Sequence, residues 1–337
     1  MSRNNKKYYK NLHDQAYEKM QSMMSQGESR RGAKVAGTAS DKIFSYNTYK
    51  TYWRHIKYYI AWLNSTHPDC STLRQARKYV PEWLQIREAE NLSAWTIQTE
   101  AKALGKLFGI TPDDSDYYTP PQRHREDIKR SRTDTKRDQH FSVTNNDELI
   151  KFCKGTGLRR SEIEKLIAKD LRSRDQLVDR LSALSSKKPG TCTLLEASEI
   201  QAIKDALMFD EQHYLFIRGK GGRIRYSPII VNEQRIVERM QSVQPDNKVW
   251  KYVNSNADIH SYRAEYCYSI YSKYAREIED IPYDVQMKTG GKRQSDVYTC
   301  RKDEAGKKLD KAALLMCSKA LGHNRKEVVV GHYLRGL

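Results

Sequence analysis

Paired cysteines are missing from this chain of 337 residues. Its six cysteines, at positions 70, 153, 192, 267, 300 and 317, include no Cys-x-x-Cys pair. Zinc ribbons need such pairs, and small disulfide-stapled proteins need many cysteines in a short chain. The scattered cysteines therefore argue against both classes and indicate a protein of a reducing compartment.

Long apolar runs are missing as well. Hydrophobic residues make up 38% of the chain and charged residues 30%, and no stretch reaches the roughly 20 apolar residues that a membrane-spanning helix needs. The first residues, MSRNNKKYYKNLHDQAYEKM, are basic but have no apolar run behind them, which argues against a secretory signal. We therefore expect a soluble protein with no membrane partner.

Acidic residues are too few to balance the basic ones. The chain has 60 Lys and Arg against 42 Asp and Glu, for a formal net charge of +18. Such an excess favours a polyanionic partner, with nucleic acid first and an anionic membrane second. Because no basic amphipathic helix with a clean apolar face stands out, we favour nucleic acid. A basic enzyme of unrelated function is the alternative.

Composition divides the chain into four parts. Residues 1–40 are polar and basic, which predicts a mostly flexible arm with a helix near Tyr8–Met20. Residues 41–111 have helical periodicity and interleave aromatic with basic side chains, so we expect a small all-helical, DNA-binding domain there. Residues 112–140 hold prolines and many charges without periodicity, which indicates a charged linker. Residues 141–337 mix helical and strand patterns and predict one α+β domain.

Helix signals within the second part are specific enough to place three helices. The first begins near Ser45 and ends near Asn64. The second covers Leu73–Ala89 and is expected to break or kink at Pro81. The third runs from about Ser93 to Phe108, with a partial capping signal at its start. Basic side chains that could contact DNA phosphates are Lys50, Arg54, Lys57, Lys102 and Lys106 in these helices, and Arg123, Arg125, Lys129, Arg130 and Arg132 in the linker.

The last part predicts helices, one clear hairpin and two insertions. HYLFIRGKGGRIRYSPII places two β-rich runs on either side of a Gly-Lys-Gly-Gly turn, a hairpin pattern. NNDELIKFCKGTG predicts a helix that ends at a glycine turn, and SEIEKLIAKDL predicts another helix. An insertion near 171–210 is expected to add helices around a Lys-Pro-Gly break. A second insertion near 280–311 is expected to hold a hairpin with its turn near Ala305-Gly306. The whole chain is therefore predicted to be mainly α-helical with a small antiparallel β-sheet.

Four short motifs in this last part carry groups that could do chemistry. They are TGLRRSE (156–162), RGKGGRIR (218–225), HSYR (260–263) and LGH (321–323), the last followed ten residues later by Tyr333. Arginine forks stay charged and bind phosphate oxygens in pairs. A tyrosine can act as a covalent nucleophile if its proton is removed, and a lysine on a hairpin tip can protonate a leaving oxygen. The set is what a metal-free phosphodiester transesterification needs, whereas no carboxylate cluster for a two-metal nuclease is evident.

These motifs, in this order, resemble those of the tyrosine recombinases, or phage-type integrases. The resemblance covers residues from about 141 to 337, and the helical segment before it is similar in placement to the SAM-like core-binding domain of that family. It implies catalytic roles for Arg159, Lys220, His260, Arg263, His323 and Tyr333, with Lys220 as the general acid and Tyr333 as the nucleophile. Glu162 would be a structural neighbour of the first arginine, and His332 a supporting residue or simply a helix residue.

The resemblance also implies a mode of action. Tyr333 would attack a DNA phosphate and form a 3′-phosphotyrosyl link, and the freed 5′-hydroxyl would later attack the link on a partner strand. Neither a cofactor nor a metal would be needed. The partners would be double-stranded DNA, further copies of the chain in a tetramer on two DNA sites, and an accessory DNA-bending or directionality factor. The protein would be bacterial or phage-encoded, cytoplasmic and associated with the nucleoid.

Several functions remain open at this level. Integration and excision of a mobile element is the first reading, and resolution of chromosome or plasmid dimers is the second. A relaxing enzyme similar to type IB topoisomerases would use the same chemistry without exchanging partners. A non-catalytic DNA-binding protein on the same scaffold is a different class, against which the presence of all six catalytic-type residues argues.

Overall fold

The chain folds into two compact units, which meet in sequence between Lys129 and Arg130. The computed structural model describes residues 10–124, 141–187, 191–219, 222–281, 287–289, 292–294, 296–301, 304–323 and 325–334. As predicted, this part of the chain is mainly helical with small antiparallel sheets. None of its helices has both the length and the apolar character to cross a membrane.

The named elements in the described part of the first unit are all helices. Its longest helix has apolar residues three and four apart, so Ile56, Tyr59, Ile60 and Leu63 all point into the core. Ser45 caps that helix, since its side chain accepts a hydrogen bond from the Thr48 amide, which satisfies one of the free amides of the first turn. The helices are α1 (Leu12–Ser22), α2 (Arg30–Val35), α3 (Tyr46–Thr66), α4 (Leu73–Arg77), α5 (Val80–Ala89) and α6 (Ala94–Phe108).

The prediction of a flexible arm over residues 1–40 is wrong for the described residues from Leu12 onward. Leu12, Ala16 and Met20 of α1 are buried in the same core as α3, and the following chain adds the buried Ile43. An apolar side chain every four residues is enough to anchor a helix by packing, even in a polar sequence. The helix predicted near Tyr8–Met20 is therefore present as α1, but it is part of the first unit rather than of a flexible arm.

Two further boundaries differ from the prediction. The helix expected over Leu73–Ala89 is two helices, and the break lies before Pro81 rather than at it, because proline is well tolerated in the first turn of α5. The described start of the predicted linker has neither helix nor strand but is tied to the first unit. Arg77 donates to Asp114 at 2.9 Å and to Asp116 at 2.9 Å.

The second unit mixes helices with short antiparallel strands. Strand β2 pairs with both β1 and β3, and β2 and β3 form the predicted hairpin. The predicted hairpin with a turn near Gly306 is also present, as β6 and β7. The elements are α7 (Asp147–Thr156), α8 (Arg160–Ile163), β1 (Leu171–Ser173), α9 (Arg174–Ser185), α10 (Leu194–Ala206), β2 (His213–Arg218), β3 (Ile224–Pro228), α11 (Glu233–Gln241), α12 (Ile259–Tyr274), β4 (Met287–Thr289), β5 (Lys292–Gln294), β6 (Val297–Thr299), β7 (Lys308–Asp310), α13 (Lys311–Ala320) and α14 (Lys326–His332).

The sheet of β1, β2 and β3 is covered on both faces. Side chains alternate between the faces of a strand, and accordingly Tyr214 joins one buried cluster while Leu215 and Ile217 join another. The first cluster includes α10, α12, α13 and Tyr333, and the second includes α7, α11 and Leu158. Residues from both clusters can therefore meet at the hairpin end of the sheet.

The prediction of one helix over SEIEKLIAKDL holds only for its first residues and is wrong beyond Ile163. Helix α8 ends at Ile163, a short 3-10 turn follows over Ala168–Asp170, and Leu171 begins strand β1. Pairing with β2 supplies the backbone hydrogen bonds that a continued helix would have made, so tertiary context overrides a favourable local pattern. The insertion near 171–210 does hold additional helices, α9 and α10.

Candidate active site

The TGLR motif forms the turn between α7 and α8. Gly157 has a left-handed φ of 60°, and a Cβ there would lie 2.1 Å from the Tyr266 ring. Only glycine fits such a backbone and such a contact. The turn brings Arg159 to the N-cap position of α8, where its side chain remains 34% exposed.

Glu162 holds Arg159 at two points. Its carboxylate accepts the Arg159 backbone N–H at 2.8 Å and the Arg159 Nη1 at 2.7 Å. Burial by itself raises the pKa of Glu162, but the hydrogen bonds and charge of Arg225, followed by those of Arg159, lower that pKa to about 2. The carboxylate is therefore ionised at neutral pH.

Arg225 of β3 is the second partner of Glu162. Its Nη1 and Nη2 donate in parallel to the two carboxylate oxygens at 2.9 and 2.8 Å, the fork geometry of the strongest arginine–carboxylate pairs. Its Nε donates to the carbonyl oxygen of Ala320 at 3.1 Å. Both side chains of the pair are at least nine-tenths buried.

Arg263 and His260 lie one turn apart on α12. Arg263 is 3% exposed, and it donates to the carbonyl of Gly157 and, at 3.1 Å, to that of Leu321. Burial lowers the pKa of this guanidinium, whereas the nearby Tyr333 raises it. His260 is exposed, and its ring lies 5.2 Å from the Tyr333 ring in an edge-on arrangement.

The carbonyl oxygen of Leu321 joins the two arginines of the predicted site. Arg159 Nη2 donates to it at 3.2 Å, and Arg263 Nη2 donates to it at 3.1 Å. The next residue, Gly322, has a φ of 70°, and a Cβ there would lie 3.0 Å from Arg225 Nη1. The LGH turn can therefore approach three guanidinium groups at close range because its central residue has no side chain.

His323 and Tyr333 face each other across this turn. His323 Nε2 lies 3.2 Å from the Tyr333 hydroxyl, and the Arg263 guanidinium carbon lies 5.7 Å from the centre of the Tyr333 ring. Tyr333 follows the last residue of α14 and is 9% exposed. Burial, followed by the charges of Arg159 and Arg263, lowers the pKa of His323 from 6.5 to about 4. The imidazole is therefore neutral at pH 7 and can accept a proton.

A cleft of about 540 Å³ opens beside these groups. Its lining is strongly basic, with Lys165, Arg218 and Arg223 around Arg159 and Arg225. Glu162 is the acidic residue among the described lining residues, and it is already paired with two arginines. Such a surface attracts an anion, and phosphate oxygens match its guanidinium groups.

Five of the six predicted catalytic residues come together in the structure: Arg159, His260, Arg263, His323 and Tyr333. Lys220 lies outside the described residues. Glu162 lies beside Arg159, where the motif resemblance implied a structural carboxylate. His332 is exposed and is the last residue of α14.

The predicted DNA contacts of the first unit differ in their availability. Lys50, Arg54 and Lys57 are exposed on one face of α3, and none forms an ion pair with a described residue. Lys102 on α6 is exposed as well. Lys106 is not available in the same way, because its ammonium donates to the carbonyl oxygens of Ala39, at 3.2 Å, and Ser40.

Of the predicted DNA contacts in the linker, Arg123 lies within the described residues. Arg123 is half-buried, and its guanidinium lies 5.5 Å from the centre of the Trp95 ring, so it packs against the first unit. The other candidates, Arg125, Lys129, Arg130 and Arg132, lie outside the described residues.

Sequence reasoning missed Arg225 as a site residue. It is the last residue of the RGKGGRIR motif, and its strand position opposite Ile217 was a signal that the side chain points into the structure. The carbonyl oxygens of Gly157 and Leu321 were missed too, because main-chain acceptors leave no trace in side-chain motifs. Within the described residues, no group of three or more His, Cys, Asp or Glu could hold a metal ion.

A scan against known protein families and a search of curated proteins found no match to this chain.

Proposed function

We propose that this protein is a DNA strand-transferring enzyme of the tyrosine recombinase type. The proposal is carried by one observation, the 3.2 Å contact of the Tyr333 hydroxyl with His323 beside two arginines that share the Leu321 carbonyl. A possible nucleophile, a neutral base and two phosphate-binding cations thus lie together. They come from three motifs that are far apart in the chain.

The reaction requires one bond to form and one to break at phosphorus. The Tyr333 oxygen attacks the scissile phosphate, its proton passes to His323, and the bond from phosphorus to the 5′ oxygen breaks. The 5′ oxygen takes up a proton and leaves as a hydroxyl, for which Lys220 is the proposed donor by motif resemblance. Arg159 and Arg263 neutralise the charge that grows on the non-bridging oxygens, a contribution that is largest where water is excluded.

The low pKa of His323 fits this role in the presence of DNA. Without a phosphate, burial and the charges of Arg159 and Arg263 keep the imidazole neutral, with a pKa of about 4. A bound phosphate adds negative charge beside those cations, so it raises the proton affinity of the imidazole. His323 is then a better base when the substrate is in place than when it is absent.

The first unit would hold the DNA on which the second unit acts. Its exposed α3 cations support the role of a core-binding domain, and the reaction would take place between two DNA duplexes in a tetramer. Integration or excision of a mobile element is the activity we propose for this assembly. The family's accessory DNA-bending factor is part of the same proposal.

Covalent trapping tests the chemistry. Duplexes that span the DNA flanking the gene would be incubated with the protein in the presence of a chelator. Each duplex carries a nick, so that the short fragment with the freed 5′-hydroxyl diffuses away after cleavage. We expect an SDS-stable protein–DNA complex, with the 3′ phosphate on the peptide that contains Tyr333 by mass spectrometry. Tyr333→Phe should abolish the complex.

A matched control comes from another tyrosine of the same unit. Tyr252 is 71% exposed and takes no part in the cluster, so Tyr252→Phe should trap as much DNA as the unaltered protein. An adduct that persists in Tyr333→Phe would refute the assigned nucleophile. DNA binding without any adduct on these substrates would point to a binding protein on the same scaffold.

A further inference from the structure

Arg225 occupies a central place under the candidate site without taking part in the proposed chemistry. Its side chain is 9% exposed, and its three described hydrogen bonds all go to protein atoms, the two Glu162 oxygens and the Ala320 carbonyl. We propose that Arg225 is a positioning residue, which sets the place of Arg159 through Glu162 and the place of the LGH turn through Ala320. The inference rests on the proposed function.

The first step of the argument concerns Glu162. A carboxylate that met Arg159 alone could rotate about its terminal torsion, which is broad for glutamate. Arg225 binds both oxygens in parallel, at 2.9 and 2.8 Å, and so fixes the carboxylate plane. Each oxygen is then oriented so that it can also accept a hydrogen bond from Arg159. The Arg159 backbone N–H donates to Oε2, and Arg159 Nη1 donates to Oε1.

The second step concerns the LGH turn. Arg225 Nε holds the Ala320 carbonyl at 3.1 Å, one residue before the Leu321 carbonyl that Arg159 and Arg263 share. Gly322 passes directly over the same guanidinium, at a distance that leaves no room for a Cβ. One buried side chain thus ties strand β3 to the start of α8 and to the turn that presents His323.

The third step is electrostatic. Within the described residues, Glu162 is paired with both Arg159 and Arg225, and the guanidinium group of Arg263 lies nearby without an acidic partner of its own, which leaves an excess of positive charge. Arg225 takes up much of the Glu162 charge. Arg159, whose side chain is one-third exposed, therefore keeps more of its own charge for an incoming phosphate. Without Arg225, the Arg159 guanidinium alone would have to neutralise a buried carboxylate, and that carboxylate would no longer be held in the orientation that accepts the Arg159 backbone N–H.

The kinetic test compares Arg225→Met and Arg225→Lys with a matched control. Arg180 makes the same kind of forked pair with Glu199, at 2.9 and 2.9 Å, away from the site. At saturating protein, we expect Arg225→Met to slow adduct formation about 100-fold, the scale of an error of about 1 Å in placing a reacting group. DNA affinity should fall far less than the rate does, because Arg225 is buried beneath the cleft. Arg225→Lys should recover part of the rate, and Arg180→Met should stay within about twofold of the unaltered protein.

A double variant shows whether Arg225 acts through Glu162. If it does, Glu162→Gln/Arg225→Met should be slowed by clearly less than the product of the two single effects, because the route through Glu162 is already lost in each single variant. The double variant also removes both buried charges together, so we expect it to fold even where Arg225→Met leaves Glu162 too poorly paired to fold. Rates that fall multiplicatively would overturn the proposal, because the two residues would then act independently.

A measurement that needs no activity separates this inference from the proposed function. The Arg159 amide is bonded to Glu162 Oε2, so its hydrogen exchange should be about tenfold faster in Arg225→Met, the scale of one lost hydrogen bond. The Ile236 amide, bonded to Asn232, corrects for any global loss of stability. Unchanged exchange at Arg159 would overturn the inference. Faster exchange at the Arg159 amide in a protein that never forms an adduct would support the positioning role of Arg225 and refute the proposed function.

Discussion

The cations predicted to bind phosphate differ in burial between the two units. In the first unit, Lys50, Arg54 and Lys57 stand in solvent on α3, and a fully buried carboxylate, that of Glu100, is held by the indole N–H of Trp83 at 2.7 Å. In the second unit, Arg225 and Arg263 are themselves buried and bound to fixed acceptors. Exposed charges are mobile and screened by salt. Buried ones are held in place and act in a low dielectric. The first arrangement suits affinity for a polyanion, and the second suits the placing of individual atoms.

The largest expected effect comes from removing a buried cation. Arg263→Met should slow adduct formation by at least about 10³-fold, the scale found for arginines that stabilise phosphoryl transition states. Arg54→Met should leave the rate at saturating protein unchanged, since Arg54 is exposed on α3. Single-turnover trapping of both variants measures the contrast. Equal losses would mean that the two units do not divide their tasks in this way.

The next effect is on stability. Glu162→Gln leaves the buried Arg225 without its charged partner and should destabilise the second unit by about 3–5 kcal/mol. Asp246→Asn, which breaks the exposed pair with Lys169, should cost at most about 1 kcal/mol. Urea unfolding followed through NMR signals of the second unit gives both values. A small effect of Glu162→Gln would show that the pair is not held as described.

A smaller effect concerns salt. Changing Lys50, Arg54 and Lys57 to Gln together should reduce the salt dependence of duplex binding, with the slope of log K against log salt falling by about 2.7 if each cation contacts one phosphate. The control replaces Lys19, Arg31 and Lys34, three exposed cations elsewhere in the first unit, with the same loss of charge. If both triple variants lose the same slope, α3 is not the DNA-binding face.

The smallest expected effect is on acid stability. The pKa of His323 is about 4 in the folded protein against an ordinary 6.5. Between those values the unfolded chain therefore binds a proton that the folded protein does not. The contribution of the neutral His323 to the free energy of unfolding is complete above pH 6.5 and declines as the pH falls toward 4. His323→Gln should remove this part of the pH dependence, as measured by unfolding free energies across the window. An unchanged profile would contradict a half-buried imidazole that stays neutral in the folded protein.

Local elements were predictable where short-range geometry decides. The helix that ends at Gly157, the β2–β3 hairpin and the turn at Gly306 are each specified by a few adjacent residues. Predictions failed where distant contacts decide. The residues around α1 are not the flexible arm that was expected, because α1 packs against α3, and Leu171 is a strand residue because β2 lies beside it.

The site itself shows the same division. Motif order was enough to select Arg159, His260, Arg263, His323 and Tyr333, which the structure brings together. Nothing in those motifs indicated that Arg225 would be the buried partner of Glu162, or that Lys106 would be used to hold the backbone at Ala39.

By itself the amino-acid order determined the helical character, the positive charge and the motifs whose side chains cluster in the second unit. Those properties depend on composition and on neighbours a few residues away. Only the tertiary structure decided which cations are buried and what they hold. Arg159 reaches a carbonyl 162 positions away, and Arg225 reaches a carboxylate 63 positions away. A buried charge persists only where such distant partners converge to replace the water it has lost.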